Sequence, residues 1–153
     1  MDYTDNAYVV RPVAGDRRVY LPLLLEGDES EEMIGRYLDS GRLYAGFLGG
    51  QAVAVCVVAE RDGGSVEVKN LAVDAAWRRK GYGRRMLEHV WREYPGKDIY
   101  LGTGDTPSTL GFYKACGFEY SHRVADFFVD NYPHPITEDG VVLRDMVYLR
   151  RKR

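Results

Sequence analysis

Long apolar runs are missing from this chain of 153 residues: no stretch approaches the ~18 apolar residues that a bilayer-spanning helix needs. No membrane association is therefore expected. The opening residues Met1-Asp2-Tyr3-Thr4-Asp5 lack the positive flank and apolar segment of a secretory leader, so the expected compartment is the cytoplasm. Cysteine is scarce. Cys56 sits in an apolar run and Cys116 in a helical pattern, without a pairing motif or zinc-type spacing, and both read as reduced core thiols. His89, His122 and His134 show no metal-ligand spacing, so no metal is expected. Nor is there an excess of either charge. The 21 basic and 23 acidic residues leave a formal charge of −2, which argues against a protein built to coat nucleic acid. Repeats and low-complexity tracts are absent as well.

What is present is enough for one core. With 45% hydrophobic side chains, the chain reads as a single domain over residues 1–153 that buries roughly two-thirds of its unfolded surface. Tyr8 to Pro12 reads as a strand, followed by helical candidates Asp16 to Leu25 and Glu31 to Asp39. Leu43 to Leu48 and Val53 to Arg61 read as strands joined at Gly49-Gly50, and Asp62-Gly63-Gly64 turns the chain into a strand from Ser65 to Asp74. From Arg84 to Tyr94 the apolar residues Met86, Leu87, Val90, Trp91 and Tyr94 recur at helical spacing, and Pro95-Gly96 ends the run. Ile99 to Thr103 is the next strand. Pro107 opens a helix that Gly117 closes. Two last strands, Phe118 to Val129 and Val141 to Arg150, flank a polar loop from Asn131 to Gly140. A right-handed crossover through the helix Arg84 to Tyr94 makes strands 65–74 and 99–103 parallel neighbours.

Between that strand and that helix lies Arg78-Arg79-Lys80-Gly81-Tyr82-Gly83-Arg84. Glycines two apart before a helix let main-chain N–H groups converge, and the helix N-terminus adds about half a positive charge. This suits a pyrophosphate. The dinucleotide fingerprint needs a third glycine where Met86 stands, and the nucleotide P-loop needs Lys-Ser/Thr after its glycine; neither is met.

Arg78-x-x-Gly81-x-Gly83 resembles the Gln/Arg-x-x-Gly-x-Gly/Ala loop of the GNAT superfamily of N-acetyltransferases. The similarity runs back through Val68-Lys69-Asn70-Leu71-Ala72-Val73 and forward to Gly111-Phe112-Tyr113-Lys114-Ala115-Cys116-Gly117-Phe118. The resemblance implies an α/β (α+β mixed) fold, with a mixed, mostly antiparallel sheet of about seven strands flanked by about four helices. It implies acetyl-CoA as cosubstrate, held by Leu71, Ala72 and Val73 and by Arg78, Arg79, Lys80, Gly81, Tyr82, Gly83 and Arg84. It implies a bulge in the strand 65–74. A one-residue bulge near Lys69-Asn70 returns Val66, Val68, Leu71 and Val73 to one face; a fully buried strand without a bulge is the alternative. Tyr113 falls at the family's thiolate-protonating tyrosine, and Glu67 is the acidic residue nearest the reacting centre, a general base acting directly or through water. Core packing for Tyr113 and a surface pairing with Lys69 for Glu67 stand beside those readings. Where the family carries a pantetheine-contacting asparagine, this chain offers Asp105, Thr106 and Ser108.

The reading is an acetyl-CoA-dependent N-acetyltransferase acting by direct attack of a primary amine, borne by a small molecule or a peptide. A covalent route through Cys116, a non-catalytic acyl-CoA-binding or sensing domain and a nucleotide-binding module are the rivals. A homodimer is left open. Acidic residues Glu26, Asp28, Glu29, Glu31, Glu32, Glu138 and Asp139 are the expected attraction for a cationic amine, and the terminal Arg150-Arg151-Lys152-Arg153 reads as a solvated tail.

Overall fold

The computed structural model describes residues 7–153, so the leader reading at Met1 to Asp5 lies outside the described residues. In chain order the elements are β1 (Tyr8–Pro12), α1 (Leu21–Gly27), α2 (Glu31–Tyr37), β2 (Arg42–Leu48), β3 (Gln51–Arg61), β4 (Ser65–Val73) and α3 (Tyr82–Glu93). Then follow β5 (Ile99–Gly104), α4 (Pro107–Ala115), β6 (Glu119–Val124), α5 (Phe127–Asn131), β7 (Thr137–Glu138), β8 (Val141–Val142) and β9 (Met146–Arg151). Seven strands form one sheet in the order β1-β2-β3-β4-β5-β9-β6. Among the described residues only β4 and β5 pair in parallel, which is the crossover expected through α3.

Both faces of the sheet are covered, and β3 shows why its sequence reads as an unbroken apolar run. Ala54, Cys56 and Val58 enter the core beneath α3, with Met86, Leu87 and Val90, whereas Val55 and Val57 enter a second core with Leu24 of α1 and Ile34 of α2. A strand buried on both sides loses the polar phase of its alternation. The buried residues of α3 follow one helical stripe, so its opposite face is free to carry charge.

Three expectations are corrected. The helix expected from Asp16 to Leu25 begins as a 3₁₀ turn, Arg17–Tyr20, and α1 starts only at Leu21, because Pro22 lacks an N–H and is accommodated in a first helical turn. The strand expected from Phe118 to Val129 stops at Val124. Asp126 adopts φ 57° and opens α5, a fifth helix, held by its N–H on Asp145 Oδ1 at 2.9 Å and by Arg144 at 2.7 Å. Finally, the strand expected from Val141 to Arg150 is two elements. Asp139 and Gly140, both at positive φ, close a β7–β8 hairpin inside the expected loop, a turn for which Asp-Gly is a strong signal.

The basic C-terminal residues are not a solvated tail. Arg153 donates to the carbonyl oxygens of Trp91 at 2.7 Å and Tyr94 at 3.4 Å, satisfying carbonyls that the end of α3 leaves without helical partners. Its guanidinium also stacks 3.7 Å from the Trp91 ring centre, and that of Arg151 lies 4.0 Å away. Arg153→Ala removes a helix cap and a cation–π contact, together about 1 kcal/mol, and is expected to lower the melting temperature by about 2–4 °C. Thermal unfolding followed by tryptophan fluorescence checks this; an unchanged midpoint would mean that the tail does not cap the helix.

Candidate active site

The site begins with one surplus residue. In the β3–β4 ladder Val57 faces Asn70 and Val58 faces Val68, leaving Lys69 without a partner. This is the one-residue bulge expected at Lys69-Asn70, and it places Val66, Val68, Leu71 and Val73 together against the α3-side core. The parallel pairing of β4 with β5 covers only Val66 to Val68 and ends at the bulge. Beyond it β4 stays with β3 while β5 continues to Gly104 beside β9. A cleft therefore opens between β4 and β5.

The ladder phase decides what lines that cleft. Asp74 donates its N–H to Val53 O at 2.8 Å, so Asp74, Ala72 and Asn70 direct their main-chain groups towards β3. Leu71 and Val73 direct theirs into the cleft. Ala72 packs its side chain on the other face, with Leu24 and Val57.

At one end of the cleft lies the start of α3. Gly81 has φ 87° and Arg79 φ 62°, and these left-handed residues turn the loop's N–H groups inward. The first helical pairing is Arg85 N–H to Gly81 O at 3.0 Å, so the N–H groups of Tyr82, Gly83 and Arg84 have no acceptor within the helix, and no side chain caps them. Gly83 is buried. A Cβ there would lie 3.3 Å from Phe112 Cζ and 3.5 Å from Val73 Cγ2, so its absence lets α3 close against both α4 and β4. Tyr82 stacks on Tyr8 with ring centres 4.7 Å apart. Arg79, Lys80 and Arg84 are exposed and form no ion pair among the described residues. Arg78 differs: its Nε donates to Val73 O at 3.0 Å and its Nη2 lies 3.6 Å from Glu26 Oε2, tying the loop back to β4 and α1.

Tyr113 and Glu67 stand on opposite faces of the sheet. Tyr113 packs on the α3-side core between Phe112 and Phe118. Desolvation raises its phenol well above the usual value, with smaller effects from Cys56 and Glu138. Cys56 pairs with Leu71, so this phenol lies near the strand segment that lines the cleft. Glu67, in the opposite phase to Val66 and Val68, is 13% exposed, with Lys69 Nζ at 3.4 Å and Arg61 Nε at 3.9 Å. The remaining candidates are engaged elsewhere. Asp105 pairs with Arg123 at 2.9 Å, Thr106 is fully buried and donates to Thr109, and Ser108 bonds Asp139 of the β7–β8 turn.

The acetyltransferase (GNAT) domain model matches residues 39–120, more than half of the chain and all of the cleft. This chain belongs to the GNAT acetyltransferase family. It is 33% identical over 131 residues to an uncharacterised N-acetyltransferase, YvbK, of Bacillus subtilis (strain 168), covering 83% of this chain and 84% of that protein. A GNAT family acetyltransferase from Elizabethkingia anophelis, solved with acetyl-CoA bound, is 31% identical with a TM-score of 0.89, over 95% of this chain and 98% of that one. A Bacillus subtilis acetyltransferase in complex with CoA is 27% identical with a TM-score of 0.88, over 96% and 99% of the two chains. The protein is thus an acetyltransferase with acetyl-CoA as its cosubstrate, on the GNAT fold expected from the sequence. Among the described residues no helix is long and apolar enough to cross a membrane.

For a GNAT acetyltransferase the two thiols matter, since a free cysteine near the cleft is a competing nucleophile. Both are buried. Burial pushes the Cys56 thiol up to about 12 and also raises that of Cys116. At pH 8 the Cys56 thiolate fraction is then about 10⁻⁴, since each pH unit below a pKa is a factor of ten. Neither thiol of the native protein is expected to react with a disulfide reagent at pH 8 within minutes, and both should react once it is unfolded. Rapid native labelling of Cys116 would bring the acetyl-cysteine route back.

Proposed function

We propose that this acetyltransferase is a single-domain enzyme that moves the acetyl group of acetyl-CoA directly onto a primary amine within a ternary complex. The observation that carries the reading is the cleft itself, whose main chain at Leu71 and Val73 has no β5 partner, between a desolvated phenol on one face and a carboxylate on the other. The pyrophosphate lies at the N–H groups of Tyr82, Gly83 and Arg84, with Arg79, Lys80 and Arg84 supplying screened positive charge. Pantetheine runs along β4, paired with the main chain of Leu71 and Val73 as an added strand would be.

The chemistry then divides between the faces. A neutral amine on the Glu67 side attacks the thioester carbonyl, and the new C–N bond places negative charge on an oxygen that the Leu71 N–H accommodates. The nitrogen proton passes to Glu67, directly or through water. The C–S bond breaks, its electron pair stays on sulfur, and the Tyr113 hydroxyl supplies the proton that completes the thiol. Desolvation that weakens the phenol as an acid also raises the basicity of a thiolate beside it, so donor and leaving group shift together.

Asp105, Thr106 and Ser108 support the cleft indirectly, Asp105 by tying the end of β5 to β6 and Thr106 and Ser108 by bracing α4 and the β7–β8 hairpin. The acids expected to attract a cation are largely occupied within the fold: Glu26 by Arg78, Glu29 by His134, Glu32 by Arg36 and Glu138 by Thr109. Acceptor choice therefore rests on shape more than on bulk charge. A panel of polyamines, amino acids, aminoglycosides and peptide N-termini, assayed with acetyl-CoA for free thiol, identifies the acceptor class; no amine-dependent thiol release from any would overturn the proposal.

Gly83→Val is expected to weaken acetyl-CoA binding by more than about tenfold, because the side chain must push Phe112 and Val73 away from the phosphate-binding turn. Calorimetry reads this, and unchanged affinity would remove the turn from the site. With an identified amine, Tyr113→Phe should lower turnover by about 10²–10⁴-fold and leave acetyl-CoA affinity nearly constant. Normal turnover under chemistry-limited conditions would assign the proton to water. A joint loss of affinity, turnover and stability would make Tyr113 a packing residue.

A further inference from the structure

Asn70 is buried to 96% of its surface, being 4% exposed, and sits directly after the bulged Lys69. A buried amide needs hydrogen bonds; the Nδ2 of this one donates twice, whereas its Oδ1 has no partner among the described residues. Its Nδ2 gives one hydrogen bond to Leu24 O of α1 at 2.9 Å and one to the Tyr37 hydroxyl of α2 at 3.1 Å. Tyr37 in turn donates to Asp28 Oδ2 at 3.1 Å, and Asp28 Oδ1 accepts from the Tyr132 hydroxyl at 2.9 Å across 104 residues of sequence. Asp28 has no cationic partner among the described residues; its acceptors face neutral donors, including the Ser30 N–H at 3.1 Å. Gly27 belongs to the same arrangement, since any Cβ there would collide with Asn70 Oδ1.

Four polar groups thus form one connected chain, converging on the Asp28 carboxylate, between the cleft strand and the segment after α5. Among the described residues the Tyr132–Asp28 bond is the only hydrogen bond between the segment 127–134 and the α1–α2 region, with His134 and Glu29 3.9 Å apart beside it. Phe128 stacks on Tyr132 with ring centres 5.7 Å apart, so the tyrosine is held by a ring contact as well as through its hydroxyl. Burial and the nearby Asp28 charge raise both phenols far above their ordinary value, so each remains a donor at any physiological pH.

We infer that Asn70, Tyr37, Asp28 and Tyr132 are positioning residues: their hydrogen-bond chain sets the 127–134 segment and the α1–α2 connection relative to the Leu71 N–H. This rests on the proposed function, in which Leu71 receives the thioester oxygen and the amine enters from the face that α1 and α2 partly cover. No member of the chain touches the reacting atoms. Their effect passes through the bulge, where Asn70 precedes Leu71, so the loop and the oxyanion donor move as one unit.

The test needs no acceptor. In ¹⁵N-labelled protein, free and with acetyl-CoA, Tyr132→Phe removes one hydroxyl and should shift the Leu71 and Val73 amide resonances, while exposed Tyr120→Phe should not. Hydrogen exchange in α2 should rise about 3–10-fold, the scale of one lost hydrogen bond. Cutting the middle link with Tyr37→Phe should abolish the response of Leu71 to Tyr132→Phe. A response confined to 127–134, one spread evenly over the sheet, or one that persists in the Tyr37→Phe background would overturn the inference. Acetyl-CoA titration of the unaltered protein is a separate reading: absence of shifts at the start of α3 would sink the cofactor site, whereas the free-protein spectra still decide the chain.

Discussion

Everything at this site follows from the register break at Lys69. A regular β4 would continue its pairing with β5 and leave no cleft; with one surplus residue the strand bends, pairing with β5 lapses, and the main chain of Leu71 and Val73 is left without a sheet partner. On the proposed function, that open stretch of main chain is where a pantetheine arm would add as an extended ligand does. The disruption is contained because Val66, Val68, Leu71 and Val73 still share the α3-side core, and the bulge disturbs the hydrogen bonds without exposing the hydrophobic face.

The electrostatic layout follows the same division. Most side-chain charges are consumed within the fold, as in Arg123 with Asp105 and Asp145 or Arg151 with Glu88. Where the loop meets α3, Arg79, Lys80 and Arg84 are exposed and free of ion pairs among the described residues. A chain with a net charge of −2 thereby still presents a local group of cations beside the start of α3. Surface pairs elsewhere add little to stability.

How much of this was legible in the sequence depended on how local the cause was. Gly81 and Gly83 before an amphipathic helix mark a turn by chain geometry alone, and the bulge was visible because Val66 and Val68 are out of phase with Leu71 and Val73. The Asp139-Gly140 hairpin carried an equally local signal and was passed over because the surrounding stretch is polar and proline-containing. Partnerships between distant residues left no such mark. Arg78 was read as a phosphate ligand, with nothing in the sequence to show that its Nε also ties the loop to Val73 O. Asp105, Thr106 and Ser108 looked available, and only the folded chain places Arg123, Thr109 and Asp139 beside them. Arg153 reads as solvent-exposed until Trp91, 62 residues earlier, is brought under it. Asn70 was the subtlest case, a polar residue inside an apolar strand, whose meaning depends on partners in two helices and a remote loop.

The strand order has a bearing on how the molecule is assembled during synthesis. β9, the last strand in chain order among the described residues, occupies an interior place in the sheet between β5 and β6. The β2–β3–β4 meander closes through short turns and can form early, since nearby segments meet at little entropic cost. Until residues 146–151 have left the ribosome, β5 has only β4 beside it and β6 has no strand partner, so a nascent chain shorter than that leaves one edge of β5 and all of β6 unpaired. Such edges are templates for pairing with other chains. The half of the sheet that finishes the cleft is therefore also the half that spends longest unguarded.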